Sequence, residues 1–234
     1  MDALHIPRIA SLLTEPARAM ILWALIDGTS RPAGELAFAA NISAQSASAH
    51  LAKLVKGGLL KSEALGRHRY FRIASAEAAQ MIEGLASFGA SIQPRVPTHS
   101  PIVRAMPNEF LIARTCYDHL AGEVAVKVLQ AMLQARWLTA AQQEYKATRL
   151  GQEKLAILGV DLSGTGRGRR AFARRCVDLT QRRAHLAGGL GAALLDFYVR
   201  ERWILRTSRS RVVDITPMGR EGFRRTFGIA MGNA

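Results

Sequence analysis

A loose internal repeat in the second half of the chain constrains its fold more than any other feature of the sequence. The tetrapeptide His-Leu-Ala-Gly occurs at His119–Gly122 and again at His185–Gly188, 66 positions later. Three further blocks recur in the same order: Arg114–Asp118 with Arg174–Asp178, Arg136–Leu138 with Arg202–Ile204, and Thr148–Gly151 with Thr216–Gly219. A chain that repeats itself is expected to build one structural unit twice.

Each copy of the repeat predicts the same order of elements. A helix, from Gly122 to Ala135 in the first copy and from Gly188 to Glu201 in the second, is followed by a tryptophan and an apolar residue. A strand–turn–strand pattern comes next, and Thr-x-x-Gly then opens a short helix. We therefore expect a pseudo-symmetric, winged-helix-like α+β domain over 108–234, with repeats at about 110–160 and 170–230.

A proline-rich segment separates this domain from the first part of the chain. Residues 93–101 contain three prolines, which interrupt helices, so we place a linker at 93–107 after a first domain at 1–92. Charge follows nearly the same division, because residues 1–93 carry a net charge of +2 and residues 94–234 carry +12. Such a basic balance is typical of chains that meet nucleic acid, an anionic membrane or anionic ligands.

Cysteine content and hydropathy exclude several classes of protein. Cys116 and Cys176 are too few for a disulfide framework or an all-cysteine zinc site. The longest apolar run, Leu186–Leu195, is far shorter than the ~20 residues of a membrane span. The first residues of the sequence lack the pattern of a signal peptide, so we expect a cytoplasmic protein without a membrane partner. The common catalytic motifs are missing, and we predict that the chain is not an enzyme.

The first ninety residues change from a helical to a hairpin pattern. Apolar residues recur at helical spacing on either side of Pro16, and Ser43 is suited to cap a helix that runs to about Lys56. The period then changes to two short strands around a basic turn, and Ser75 caps one further helix. This order predicts a winged helix-turn-helix, so we expect the whole chain to be mainly α within the α+β class.

The outward face of the Ser43–Lys56 helix has the polarity of a DNA-reading helix. A helix fits the major groove, and short polar side chains allow its close approach to base edges. The predicted base-reading residues are Gln45, Ser46, Ser48 and His50, and the predicted phosphate or minor-groove contacts are Ser43, Lys53, Arg67, His68 and Arg69. The alternative is a small helical core whose polar face is merely solvated.

These motifs resemble the DNA-binding domain of the ArsR family of bacterial transcriptional regulators. The resemblance covers about residues 5–90 and rests on Glu15–Arg18, Gly34–Ala37, Ile42–Leu54, Gly58–Leu60 and Gly66–Ile73. It implies a homodimer joined through the first and last helices of this domain, a recognition helix at Ser43–Lys56 and a wing at Lys61–Ile73. It also implies a repressor that a signal releases from operator DNA.

The resemblance does not extend to the metal sites of the family. Metal-sensing members carry cysteines on the helix before the recognition helix, or histidine and aspartate on the last helix. The corresponding stretches here, Glu35–Ala40 and Glu77–Glu83, contain neither cysteine nor histidine. We therefore predict no metal site and no cofactor.

The repeat brings a second set of candidate residues into equivalent places. Longer relatives of the ArsR family that share these blocks suggest a sensing or dimer-stabilising domain here. Arginines favour an anionic effector, and tryptophans can wall a flat aromatic one. The predicted effector-binding residues are Arg114, Cys116, Tyr117, His119, Arg174, Arg175, Cys176, Arg182, His185, Trp137 and Trp203.

Several alternatives stay open for the second domain. The arginine, cysteine and histidine set is equally consistent with a structural role, and the two tryptophans are consistent with a core. Cys116 and His119, with Cys176 and His185, could hold a metal or arsenite. A cysteine near arginines could also be a reactive, redox-sensing thiol. A strongly basic domain could finally belong to a non-specific DNA-binding protein.

Overall fold

The computed structural model describes residues 5–65, 68–92, 106–142, 144–163, 165, 171–207 and 210–231. They fall into two units, one within residues 1–106 and the other within residues 107–234. Most of the linker predicted at 93–107 lies outside the described residues, as does Arg67 of the predicted wing. Within the described ranges, no helix is both long and apolar enough to cross a membrane.

The first unit is a winged helix-turn-helix. Its elements are α1 (His5–Leu13), α2 (Pro16–Ala24), β1 (Arg31–Pro32), α3 (Ala33–Ala39), α4 (Ala44–Lys56), β2 (Leu60–Leu65), β3 (His68–Ile73) and α5 (Ala76–Ile92). The strands form an antiparallel sheet in the order β1-β3-β2, with Arg31 opposite Phe71 and Leu60 opposite Ile73. This order confirms the predicted helix-turn-helix and hairpin.

Local signals set the limits of α4. Ser43 has an extended backbone, and its hydroxyl accepts a hydrogen bond from the Ser46 N–H at 3.2 Å, as an N-cap does. At the other end, Gly58 adopts a φ of +78°, which favours glycine and turns the chain into β2. Three apolar side chains of α4 are buried: Ala47, Leu51 and Leu54. The polar positions between them therefore face outwards.

The second unit contains one order of elements twice. After α6 (Asn108–Ile112), the first copy consists of β4 (Arg114–Cys116), β5 (His119–Ala121), α7 (Glu123–Gln134), β6 (Leu138–Ala141), β7 (Glu144–Ala147) and α8 (Arg149–Ile157). The second copy consists of β8 (Arg174–Val177), β9 (Ala184–Ala187), α9 (Gly188–Arg200), β10 (Ile204–Arg206), β11 (Val213–Ile215) and α10 (Pro217–Phe227). Helices and short sheets together confirm the predicted fold class, mainly α within α+β.

The strands of the second unit pair in antiparallel hairpins. β4 pairs with β5, β10 pairs with β11, and the other four strands form a sheet in the order β6-β7-β8-β9. In this sheet, Glu144 of the first copy is opposite Arg174 of the second. The hairpin β8–β9 therefore extends the sheet of the first copy.

The Thr-x-x-Gly motif has the same geometry in both copies. The Thr216 hydroxyl donates to the Arg202 carbonyl oxygen at 2.7 Å and accepts the Gly219 N–H at 2.9 Å. The corresponding distances at Thr148–Gly151 are also 2.7 and 2.9 Å. A Cβ on Gly219 would collide with the carbonyl group of Trp203, so the helix can approach this carbonyl only at a glycine.

Aromatic side chains fill the core of the second unit. The Trp203 ring centroid lies 5.2 Å from that of Phe197 and 5.1 Å from that of Phe223. The Trp137 ring centroid lies 5.7 Å from that of Phe227. Both tryptophans belong to one buried apolar cluster. The structure therefore places them in the core, where the contact of Trp137 with Phe227 joins the first copy of the repeat to the second.

Candidate nucleic-acid interface and cysteine–histidine centre

Helix α4 presents the polar side chains that were predicted to read bases. Gln45, Ser48 and Lys53 are exposed, while Ser46 and His50 are half-buried. An amide can pair with an adenine edge, and an ammonium can pair with phosphate. This face therefore has the chemistry of a DNA-reading surface, and its contact with DNA stays a prediction.

Three of the predicted DNA-binding residues also form contacts within the first unit. Ser43 caps α4, and the Ser48 hydroxyl donates to a carbonyl oxygen one turn back in the same helix at 3.0 Å. The Nδ1 atom of His50 lies 3.5 Å from Nη1 of the buried Arg18. Arg18 also donates to two carbonyl oxygens near the end of α1, at 2.7 and 2.9 Å. Arg18 therefore connects His50 to α1.

The β2–β3 hairpin carries positive charge beside α4. His68 and Arg69 are exposed, whereas Arg72 pairs with Glu63 at 2.8 Å between Nη2 and Oε1. A groove of about 590 Å³ between α3, α4 and the hairpin is lined in part by His68, Arg69 and Lys56. Among the described residues, Arg69 and Lys56 have no ion-pair partner, so their cationic ends can reach a phosphate backbone, whereas the paired Arg72 is less suited to that role.

Helices α1, α2 and α5 leave an apolar surface uncovered in the first unit. A cavity of about 350 Å³ is lined by apolar side chains that include Met20, Trp23 and Leu85. Leu85 is 51% exposed, Phe88 is 63% exposed and Ile6 is 77% exposed. An apolar cavity with the exposed Leu85 in its lining, and with Phe88 one turn further along α5, is typical of a surface that associates with another protein chain.

Two hairpins of the second unit bring two cysteines and two histidines together. Cys116 is opposite His119 in β4–β5, and Cys176 is opposite His185 in β8–β9. Their four potential ligand atoms all lie within 4.8 Å of one another, and the two histidine Nε2 atoms are 3.1 Å apart. Cys176 is half-buried and the other three are buried. These four residues are called the cysteine–histidine centre below.

Each histidine of the centre also faces a carboxylate. His119 Nδ1 lies 3.2 Å from an oxygen of Asp118, and His185 Nδ1 lies 3.6 Å from an oxygen of Asp178. Burial opposes the charged form of His119, but its hydrogen bonds to Asp118 and Cys116 outweigh this effect and raise its pKa above the ordinary value. The Asp118 carboxylate therefore orients the His119 ring through a hydrogen bond to Nδ1, whereas His185 Nδ1 has no hydrogen-bond partner among the described residues.

Asp178 is the anchor of a buried polar network beside the centre. Its Oδ1 atom accepts hydrogen bonds from Arg114 Nη2 at 3.0 Å and from the N–H groups of Thr180 and Gln181 at 2.9 and 3.0 Å. Its Oδ2 atom accepts the Gly122 N–H at 2.7 Å. Burial alone would raise the pKa of Asp178, but the Arg114 guanidinium and these N–H groups hold it well below its ordinary range.

The structure separates the predicted effector residues into three groups. Five lie in or beside the centre: Arg114, Cys116, His119, Cys176 and His185. Four are exposed: Tyr117, Arg174, Arg175 and Arg182. Trp137 and Trp203 are in the core. Asp118 and Asp178, which the alignment of the two Arg-x-Cys-x-Asp blocks places in equivalent positions, are not among the predicted effector-binding residues.

Comparisons with known proteins agree on a helix-turn-helix regulator. A family model described as a helix-turn-helix domain matches residues 13–63. The HTH-type transcriptional regulator YdfF of Bacillus subtilis (strain 168) is 39% identical over 225 residues, which are 96% of this chain and 98% of YdfF. The similarity to YdfF therefore includes both units.

Solved structures match a smaller share of the chain. The homodimeric winged helix-turn-helix DNA-binding domain of Mb0332 from Mycobacterium bovis, a possible ArsR-family regulator, is 25% identical. It covers 41% of this chain and 88% of its own, with a TM-score of 0.36. HlyU from Vibrio cholerae is 26% identical and covers 38% of this chain and 97% of its own, with a TM-score of 0.35.

Proposed function

Because the chain belongs to the helix-turn-helix transcriptional regulators, with an ArsR-like winged helix-turn-helix, we propose that it is a repressor that binds an operator in double-stranded DNA. In this proposal α4 enters the major groove and the β2–β3 hairpin contacts the adjacent backbone. The observation that carries the proposal is the exposed polar face of α4 beside the cationic hairpin. The second unit then acts as the part that receives the releasing signal.

Fluorescence anisotropy tests the specificity of DNA binding. The full-length chain is titrated into a duplex from upstream of its own gene and into a scrambled duplex, at two salt concentrations. We expect a specificity ratio above ~10³ for an operator-binding regulator. Equal binding to both duplexes that disappears with salt would instead identify a non-specific DNA-binding protein.

Two pairs of variants test the roles of α4 and the hairpin. Gln45→Ala should reduce discrimination between the duplexes by about 1–3 kcal/mol, whereas Gln152→Ala, an exposed position on α8, should leave it unchanged. Arg69→Ala should weaken binding to both duplexes alike, and it should lower the slope of log affinity against log salt concentration by about 1. Arg72→Ala is the matched control in the same hairpin, because Glu63 already pairs with its charge. An unchanged preference in Gln45→Ala would show that α4 does not read the sequence.

We also propose that the repressor is a homodimer that forms through the apolar surface of α1, α2 and α5. A two-fold dimer places two recognition helices on half-sites about one helical turn apart. Phe88→Glu should shift the molar mass in light scattering towards the monomer. Phe38→Glu is the control, because Phe38 is 89% exposed on α3, outside this surface. A monomeric parent chain at DNA-binding concentrations would contradict the dimer.

An anionic or aromatic effector for the second unit stays a prediction. Of the side chains named for it, Arg114 is paired with Asp178 in the interior, and both tryptophans pack in the core. A thermal-shift comparison with small carboxylates and flat aromatic compounds tests it, because a ligand that binds only the folded chain raises its melting temperature. An unchanged melting temperature across these compounds would argue against this effector class.

A further inference from the structure

We propose that the cysteine–histidine centre binds one divalent cation of the zinc class, with both cysteines as thiolates. This proposal departs from the sequence-based prediction of no metal site, which rested on stretches of the first unit, and takes up the alternative that Cys116, His119, Cys176 and His185 hold a metal. The proposal deepens the proposed function and rests on it in one respect, since the cation would be the signal that the repressor receives. Binding of the cation itself requires no DNA.

The size of the centre matches a single tetrahedral ion. Zn–S bonds of about 2.3 Å and Zn–N bonds of about 2.0–2.1 Å place the ligand atoms of a tetrahedron about 3.3–3.8 Å apart. The two Nε2 atoms are 3.1 Å apart, and the four ligand atoms lie within 4.8 Å of one another. Side-chain shifts of about 1 Å or less therefore complete the coordination.

The two imidazole rings are oriented as metal ligands. Each ring directs Nε2 to the other ring. His119 Nδ1 is hydrogen-bonded to Asp118 at 3.2 Å, whereas His185 Nδ1 lies 3.6 Å from Asp178 and has no hydrogen-bond partner among the described residues. The Asp118 carboxylate fixes Nδ1 of His119 as the protonated atom, as in the carboxylate–histidine–zinc arrangement. The lone pair of His119 Nε2 then faces His185 Nε2 at 3.1 Å, a position that a proton or a cation can occupy.

The two cysteines favour a metal cation over a proton at the position between the two imidazole rings. Two sulfur and two nitrogen ligands in a tetrahedron are typical of zinc. Two thiolates balance the charge of a divalent cation, and neutral imidazoles add none, so the occupied centre has no net charge of its own. This balance matters because three of the four residues are buried and an unbalanced charge there is costly.

Both hairpins are held in place before an ion arrives. Arg114, in β4 of the first copy, pairs with Asp178, which follows β8 of the second copy, and both side chains are almost fully inaccessible to solvent. Asp178 is thereby fixed next to His185. Each copy contributes one cysteine and one histidine, so neither hairpin alone could complete the site.

Titration with Co²⁺ tests the proposal, because this ion accepts the same ligands as zinc and its spectrum reports them. The metal-free full-length chain, kept reduced and without oxygen, is titrated with CoCl₂. We expect one equivalent per chain, the intense visible bands of tetrahedral Co²⁺ and a near-ultraviolet sulfur-to-cobalt charge-transfer band. One equivalent of Zn²⁺ should abolish them. Weak bands of six-coordinate Co²⁺, or no sulfur band, would overturn the assignment.

Variants identify the ligands. Cys176→Ser should lower the intensity of the sulfur-to-cobalt band by about half. It should also lower the affinity for Co²⁺ by a larger factor than the loss of about 10–100-fold that follows when a residue outside the ligand set is changed. His185→Ala should also lose affinity, whereas His5→Ala, at an exposed position of the first unit, should keep it. Unchanged Co²⁺ binding in Cys176→Ser would refute the site. An air-oxidised chain that joins its two cysteines and shows no metal binding when reduced would identify a redox pair instead.

A positioning variant keeps the test valid if the ligand variants fail to fold. Asp118→Asn retains a side chain of the same shape in the β4–β5 turn, where Asp118 is part-exposed. We expect it to lower the affinity for Co²⁺ about 10–100-fold through the orientation of His119. Asp196→Asn, an exposed position on α9, is the matched control and should bind as the parent chain does. Equal affinities for these two variants would contradict the carboxylate–histidine arrangement.

The signalling role requires a separate measurement. Operator affinity is compared by anisotropy for the chain loaded with Zn²⁺ and the chain treated with a chelator, in the parent and in Cys176→Ser. We expect a change of at least tenfold that Cys176→Ser abolishes. Equal affinity with and without Zn²⁺ would remove the signalling role, whereas a cobalt spectrum without operator binding would overturn the proposed function and leave the site intact.

Discussion

Replacing Asp178 by asparagine removes the charge from a carboxylate that is inaccessible to solvent. Oδ1 accepts hydrogen bonds from Arg114 and from the N–H groups of Thr180 and Gln181, and Oδ2 accepts the Gly122 N–H. Asparagine has a single acceptor oxygen. Its NH₂ group must therefore face one of these donors, and the buried Arg114 loses its counter-charge.

The expected loss of stability follows from the burial of both partners. Removing one partner of a buried ion pair costs about 3–5 kcal/mol, which is a large part of the about 5–15 kcal/mol that stabilise a typical domain. Arg114 and Asp178 have 1% and 0% of their side chains exposed, so water cannot replace the lost interaction. With an m-value of about 2 kcal/mol/M, the midpoint of urea unfolding should fall by about 1.5–2.5 M.

Tryptophan fluorescence can follow this unfolding in the second unit alone. In a Trp23→Phe background the remaining emission comes from Trp137 and Trp203, which both lie in the second core. Asp196→Asn makes the same chemical change at an exposed position and should stay within about 0.5 kcal/mol of the parent. A midpoint for Asp178→Asn as high as that of Asp196→Asn would refute the reasoning.

A double variant separates the ion pair from the other contacts of the carboxylate. Arg114→Met removes the positive charge, and the combination with Asp178→Asn removes both charges from the interior. We expect the double variant to lose less stability than the sum of the single variants, because neither charge is left unpaired. Losses that simply add would show that the two side chains are not coupled.

Three further predictions concern the same unit. Gly219→Ala should lower the free energy of unfolding in calorimetry by about 1–3 kcal/mol, because the added methyl group collides with the Trp203 carbonyl. Gly84→Ala on α5 is the control, because it has open space around it, and it should be neutral or stabilising by up to about 1 kcal/mol. Thr216→Ala removes the N-cap of α10 and should cost about 1 kcal/mol in urea unfolding. Because the pKa of Asp178 is lower in the folded chain than in the unfolded chain, its stabilising effect is complete above about pH 5 and lost as the pH falls below about 4. Circular dichroism during acid titration should show this loss in the parent and a smaller one in Asp178→Asn.

Local signals made most of the first unit predictable. Ser43 predicts the start of the recognition helix, and the structure uses it as the cap of α4, which ends at Lys56 as expected. The change from helical period to alternation predicts the wing, observed as β2 and β3. Caps, periods and turn residues act over a few positions, so a single sequence reveals them.

The cysteine–histidine centre depends on contacts that the sequence pattern does not specify. The repeat shows that Cys116 and Cys176 are equivalent, but His119 follows its cysteine by three positions and His185 follows by nine. Only the register of β8–β9 places Cys176 opposite His185. The position of Trp137 is equally hard to predict, because the sequence around a tryptophan does not distinguish a place in the core from a place in the wall of a ligand pocket.

The ion pair between the two copies also determines when the second unit can fold during synthesis. Arg114 and Asp178 are 64 positions apart in the chain. At a translation rate of about 5–20 residues per second, Arg114 is made about 3–13 s before its partner. During this interval the first hairpin cannot close over an uncompensated guanidinium, so its arginine must stay hydrated. The two copies are therefore expected to fold together after the ribosome has passed Asp178, and nascent chains that stop earlier should remain open to proteases.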